Sequence, residues 1–166
     1  MMLAVDVVRV MERLRDSGIT AWIDGGWGVD ALLEQETRQH DDLDLVIELD
    51  QADLATEALA TLGYEVSIDE RPTRLVLTTA DGRRVDLHTV VFDEGGGGVQ
   101  HLQDGRSYRY PPMGFSGSGS VAGQPFACLT PEVQIECHMG YEPTETDRHD
   151  VVLLVERFAL PRPKGY

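Results

Sequence analysis

Asp42 and Asp44 stand two residues apart at the head of an alternating apolar run, Asp42-Leu-Asp-Leu-Val-Ile-Glu48. In a strand that spacing sends both carboxylates to one face, with Cα atoms about 6.5–7 Å apart. Two such acids can converge on one or two hard divalent cations. Mg²⁺ in particular takes few protein carboxylates and leaves room for substrate phosphate. A third acid from a neighbouring strand would complete the set, and Asp86 is the candidate. An isolated Asp-x-Asp at a strand entrance is more often solvated punctuation. What reverses the balance lies upstream. Gly25-Gly26 allows φ > 0 and a close backbone approach, and the turn after it would aim N–H groups at a triphosphate. The spacing is neither GxGxxG nor Walker A, so neither a Rossmann nor a P-loop reading applies. A glycine turn beside paired acids suits nucleotidyl transfer, with ATP or another nucleoside triphosphate as donor.

Arg38 and His40 flank the acids. Arg38 could hold a phosphate, and His40 could orient an acid or a metal-bound water. A surface position for His40 is an equal reading. The five histidines include no HExxH or paired metal spacing. Cys137-His138 and Asp147-Arg-His149-Asp150 are therefore weak grounds for zinc. Trp22 reads as core, Trp27 could stack on a base, and Tyr108 and Tyr110 could line a ligand pocket.

These residues need elements to position them. Val5, Val8, Met11 and Leu14 recur at helical spacing over 4–16, and Asp16-Ser-Gly18 stops the helix. Ala21-Trp-Ile23 is a short strand ending at the glycines, and Gly28–Leu33 supplies one or two helical turns. Over 43–48, Leu43, Leu45 and Ile47 face one way, and Asp42, Asp44 and Val46 the other. Asp50 is a candidate N-cap for a helix to Leu62, with Gly63 at its stop. Strands follow at 64–67 and 73–79. Asp81-Gly82 turns the chain into a returning strand, 84–92, on which Asp86 and His88 share a face. Gly95–Gly98 has no stable structure of its own and marks a mobile loop. Residues 103–120 read as loop plus short strand, followed by a hairpin around Gly123-Gln124. Thr130-Pro131 is a good cap and first-turn pair for a helix to about Met139. Thr144 and Asp147 form a capping box for another that Pro161 ends. The pattern is α/β, or α+β in stricter terms: one domain over 1–166, a small mixed β-sheet with helices packed against it.

A formal net charge of -15 and the lack of any Lys/Arg run argue against a duplex nucleic acid partner and favour small cations. No apolar run approaches the ~18 residues of a membrane helix, and the N-terminus lacks a basic leader pattern. Cys128 and Cys137 have no CxxC spacing and read as buried thiols in a reducing cytoplasm.

The run GGWGVDALL…TRQHDDLDL resembles the polymerase-β-like nucleotidyltransferases that inactivate antibiotics. Within these it is most similar to the short lincosamide nucleotidyltransferases, and next to the aminoglycoside 2″-adenylyltransferases. Val85-Asp-Leu-His88, Cys128-Leu-Thr-Pro131 and the run from His138 to Asp150 support the lincosamide side. The resemblance implies the nucleotidyltransferase fold, Mg²⁺ at Asp42, Asp44 and Asp86, and ATP phosphates at Gly25 and Gly26. It implies that Asp86 is metal ligand, general base, or both, and that an antibiotic hydroxyl accepts AMP. The match departs at the four-glycine run and over 95–120, which should shape the acceptor pocket. Two rival readings remain: a minimal nucleotidyltransferase that adenylylates a protein or RNA, and a non-catalytic nucleotide sensor. A homodimer closing the acceptor pocket would suit so short a chain.

Overall fold

Apolar periodicity sets the first helix, α1 (Ala4–Asp16), which buries Val7, Val10, Met11 and Leu14 on one stripe. Gly18, at φ +77°, turns the chain out of it. The computed structural model describes residues 1–166. After α1 come β1 (Ala21–Asp24), α2 (Gly25–Leu33), β2 (Asp42–Glu48), α3 (Ala52–Ala60), β3 (Tyr64–Glu70), β4 (Arg74–Thr79) and β5 (Arg84–Phe92). The second half contributes β6 (Gly98–His101), β7 (Ser107–Tyr110), β8 (Gly117–Val121), β9 (Gln124–Cys128), α4 (Pro131–Cys137) and α5 (Glu145–Phe158).

The strands form a mixed sheet in the order β3-β4-β5-β2-β1-β9-β8, and the β6–β7 hairpin extends from β5. β2 lies at its heart, antiparallel to β1 and parallel to β5. Strict alternation along β2 explains that place. Leu43, Leu45 and Ile47 are fully buried in a 31-residue core shared with α1, α2, α3 and α5. Val46, on the opposite face, joins a smaller cluster with Val90, Tyr110, Leu129 and Val133. The acids at the head of β2 therefore sit beside a second, thinner apolar layer, which becomes the wall of a cleft.

Four local expectations are revised. α2 begins at Gly25 itself, so the glycine pair is the first helical turn rather than a loop before it. Asp50 lies within a 3-10 turn, Leu49–Gln51, and α3 starts after Gln51 with no side-chain cap. The polyglycine run has local structure, a hydrogen-bonded turn leading into a strand. The Asp93 carboxylate accepts the N–H groups of Gly95 and Gly97 at 2.9 and 3.0 Å, and Gly98 opens β6. Thr130 precedes α4 but makes no side-chain capping bond.

The Thr144 cap is as expected. Its hydroxyl accepts the Asp147 N–H at 3.2 Å, and the Asp147 carboxylate accepts the Thr144 N–H at 2.8 Å. Thr144→Ala should cost about 1 kcal/mol in urea unfolding, with the slope unchanged. No helix is long and apolar enough to cross a membrane.

Candidate active site

Three acids face one another across the middle of the sheet. Asp44 on β2 pairs in register with Asp86 on β5, and Asp24 at the end of β1 pairs with Asp44 from the other side. Residues opposite one another on adjacent strands share a face, so the three carboxylates crowd one patch. One ligand atom each from Asp44, Asp86 and His88 lie within 4.8 Å of one another. Arg74 donates to Asp86 Oδ2 at 2.9 Å, while Asp86 Oδ1 is buried with no partner. A buried carboxylate oxygen without a donor is costly unless a cation or water completes it. Burial holds the Asp86 carboxyl above the ordinary aspartate value, with the Asp44 charge adding to it and His88 and Arg74 opposing. Burial also raises Asp24.

Asp42 is not in this group. It lies two residues before Asp44 on the same face, but its carboxylate is ion-paired with Arg84. The structure thus brings together two of the three expected acids, Asp44 and Asp86, and supplies Asp24 and His88 beside them. Asp24 escapes a sequence reading because an acid before Gly-Gly looks like turn chemistry. His88 was visible only as a residue on the face of Asp86.

His88 Nε2 lies 3.6 Å from Asp44 Oδ1, and its Nδ1 lies 3.2 Å from the amide nitrogen of Gln100. Gln100 is fixed at both ends, its nitrogen donating to Thr73 O at 3.0 Å and its oxygen accepting from Tyr110 Oη at 3.2 Å. That orientation makes Nδ1 an acceptor and leaves the ring proton on Nε2, toward Asp44. Burial works to lower the imidazole, but Asp44, Asp24 and Asp86 outweigh it and raise it to about 9. Protonating Nδ1 would need the Gln100 amide to turn. His88 Nε2 can thus face Asp44 as an ion-pair partner or offer a ligand atom beside Asp44 and Asp86.

The glycines are required by what approaches them. A Cβ on Gly25 would lie 2.3 Å from Asp44 Oδ2, and Gly25 also has φ +58°. A Cβ on Gly26 would lie 2.3 Å from the Arg38 guanidinium and 2.5 Å from His40 Nδ1. The first turn of α2 is thereby pressed between the acid patch and a basic pair.

That basic pair is already engaged. Arg38 grips the buried Asp150 of α5 with bonds of 2.9 Å from Nε and 2.7 Å from a terminal nitrogen. His40 is buried, with Nε2 2.5 Å from Asp30 Oδ2 and its ring 4.6 Å from that of Trp27. The surface reading of His40 is therefore wrong. Trp27 is buried, so it is not a base-stacking platform. Trp22 is half-buried, packing against the smaller cluster and donating to Phe115 O at 2.8 Å beside Phe92 and Phe115.

A cleft of about 400 Å³ opens over the acids. Its floor holds Asp24, Gly25, Asp44 and His88. The β6–β7 hairpin lends Gln100, Leu102, Tyr108 and Tyr110, and the end of α4 with the chain beyond it lends Glu136 to Met139 and Tyr141. Tyr108 and Tyr110 thus line a pocket, as their setting suggested. The volume falls in the range of small-molecule sites, with apolar walls and a few convergent polar groups.

A mixed sheet carrying paired acids against a glycine-led helix is the architecture of a nucleotidyltransferase. The structure of the lincosamide antibiotic adenylyltransferase LnuA, lincomycin-bound, matches with a TM-score of 0.81 at 25% identity, covering 92% of this chain and 96% of that one. ANT(2″)-Ia in complex with adenylyl-2″-tobramycin shares the fold, with a TM-score of 0.72 at 19% identity over 93% of this chain and 88% of that one. The chain belongs to the aminoglycoside-2″-adenylyltransferase family, whose sequence model matches residues 6–154. It is also 28% identical over 142 residues to a lincosamide resistance protein of Staphylococcus haemolyticus, covering 86% of this chain and 88% of that protein.

Proposed function

We propose that this single-domain enzyme moves AMP from ATP to a hydroxyl of a lincosamide antibiotic in the cytoplasm. The observation that carries the reading is the Asp44–Asp86 pair, with its unpartnered buried oxygen, on the floor of an aromatic-walled cleft. The chemistry of that pair fits a divalent cation, Mg²⁺ above all, because hard oxygens with room left for phosphate are what it prefers. When bound, such a cation would offset charge on the transferring phosphate. Asp42 would join the set only by releasing Arg84. The first turn of α2 faces the same cleft through Gly25 and would seat the triphosphate there. Its capacity is limited, because Asp24 Oδ1 already accepts the Gly25 N–H at 2.7 Å.

The acceptor would lie against Leu102, Tyr108, Tyr110 and Met139, with its hydroxyl turned to the floor. Those walls suit an amphipathic body carrying one amine better than a polycationic sugar. Glu136, exposed on the cleft rim, and the net charge of -15 would draw that amine in. The two free thiols are compatible with a reducing compartment. A single core that draws on α1, α2, α3 and α5 supports one domain over 1–166.

The test is pyrophosphate release from ATP with lincomycin, clindamycin and an aminoglycoside panel, with mass analysis of the drug. We expect a product heavier by one adenylyl group with the lincosamides, and loss of turnover in EDTA that Mg²⁺ restores. Turnover confined to aminoglycosides would move the acceptor assignment; pyrophosphate release with no drug in the panel would remove it.

A further inference from the structure

The chain between α4 and α5 supplies one wall of the cleft, and His138 stands at its start. Three bonds fix this residue. Its N–H donates to Ile135 O at 3.1 Å, its carbonyl accepts from Tyr166 Oη, and its ring Nδ1 lies 2.7 Å from Gln134 O. A carbonyl only accepts, so Nδ1 carries a proton and donates it. The side chain is 10% exposed, and Nε2 is its one polar atom without a hydrogen bond. Asp147 Oδ1 lies 3.8 Å from Nε2, beyond hydrogen-bond reach, and already accepts from Tyr141 Oη at 3.1 Å. The other Asp147 oxygen is engaged by Thr144 at the head of α5. In the neutral ring Nε2 is therefore an acceptor with no donor in the protein. Burial raises the carboxyl of Asp24 on the cleft floor, and His138 is near enough to be among the groups opposing it. The fold itself needs only one ring nitrogen. The bond to Gln134 asks for a single donor, which an Asn amide would supply from the same place. A nearly buried acceptor left unpaired is costly unless a ligand or water completes it.

We propose that His138 is a specificity-determining residue of the acceptor site, whose Nε2 accepts a hydrogen bond from a second hydroxyl of the acceptor, one that does not react. The substrate it selects is a polyol, with its amine left to Glu136 on the rim. A site built to pair a donor rejects an analogue that lacks it, because its own acceptor then goes unpaired. The facing hairpin supplies mainly contact area, since Tyr110 Oη is committed to Gln100. His138 adds the direction that an aromatic wall lacks. The inference deepens the function proposed above and rests on it.

The experiment compares wild type, His138→Asn and His138→Gln, whose amides separate the two ring nitrogens. The Asn amide overlays Nδ1 and keeps the bond to Gln134 O. The Gln amide overlays Nε2, so it loses that bond but presents its oxygen to the cleft. Steady-state transfer of AMP from ATP is measured with lincomycin, or with tobramycin if lincomycin is not a substrate, beside thermal melting. For His138→Asn we expect a melting temperature near wild type and an acceptor KM raised about tenfold, the loss of one hydrogen bond. Its kcat and its KM for ATP should stay within about threefold, because the lost contact serves ground and transition state alike. His138→Gln should melt lower, yet its acceptor KM should stay nearer wild type than that of His138→Asn. Among single-deoxy analogues of the acceptor, one should give wild type and His138→Asn the same KM, which identifies the hydroxyl. A purely structural histidine gives the reverse order, with His138→Gln the poorer enzyme, and that result would overturn the assignment. So would an unchanged acceptor KM in His138→Asn, or a rise in its KM for ATP as large as that for the acceptor. A difference between the two proteins that persists with every deoxy analogue would show that no hydroxyl is the partner, and the assignment would fall. Each of these leaves the proposed function standing. A wild type inactive on every acceptor would remove the proposed function, and this role with it.

Discussion

Asp44→Asn should abolish turnover without destabilising the protein. In phosphoryl-type transfer the protein contributes mainly positioning and charge, and a single charge-stabilising group is worth about 10³–10⁵ in rate. Asp44 is central to that effect here, flanked in register by Asp24 and Asp86 and approached by His88 Nε2. We therefore expect a loss of about 10³-fold or more, roughly 4 kcal/mol of barrier. Asn keeps the shape, so the close fit against Gly25 survives. The stability side follows from the sign of the neighbours' shifts. Burial raises the carboxyls of Asp24 and Asp86. An acid that holds its proton more tightly when folded disfavours the native state once pH rises past its unfolded value, and it still does so at neutral pH. Removing the charge between them relieves the smaller, Asp44-derived part of that penalty. The same change removes the Asp44 contribution that raises His88, which is stabilising at neutral pH. The two effects oppose, so without divalent cation the variant should melt near the wild-type temperature. Adding Mg²⁺ should raise the midpoint of wild type and leave the variant unmoved. Near-normal turnover in Asp44→Asn would sink the metal assignment.

The legible part of the site was the part written in a local period. Asp42 and Asp44 on one face of β2, Asp86 and His88 on one face of β5, and the Thr144–Asp147 cap all follow from alternation or short spacing. What escaped depends on partners distant in sequence. Nothing local says that Arg84 captures Asp42, that Asp30 captures His40, or that Arg38 reaches Asp150 across 112 positions. The polyglycine run is a related case. The missing side chains point to a run with no structure of its own, but the neighbouring Asp93 carboxylate takes up its N–H groups and Phe115 leaves Gly98 no room for a Cβ. Asp24 is not legible locally because its place in the site lies in register with Asp44, a property of strand pairing and not of its neighbours in sequence.

Arg38→Ala should be the most destabilising single change near the site, and it decides between two roles for that guanidinium. Asp150 is 1% exposed and held by a two-nitrogen fork from Arg38, which ties the segment after α2 to α5. Removing one partner of such a pair leaves an uncompensated buried charge, at a cost of about 3–5 kcal/mol. Arg38→Lys should recover only part of this, because an ammonium cannot reproduce the fork. Arg38→Ala combined with Asp150→Asn should be more stable than Arg38→Ala alone, since the orphaned charge is gone. Urea unfolding of wild type, Arg38→Ala, Asp150→Asn and the double variant reads the pair as a double-mutant cycle, with Arg38→Lys measured beside them. The same guanidinium lies against Gly26, so a phosphate-holding role is the competing account. It makes the opposite prediction: an unfolding midpoint near wild type with the KM for ATP raised tenfold or more. With its hydrogen bonds already directed into Asp150, Arg38 should instead lose stability first, and the ATP KM should change only as far as the first turn of α2 loosens.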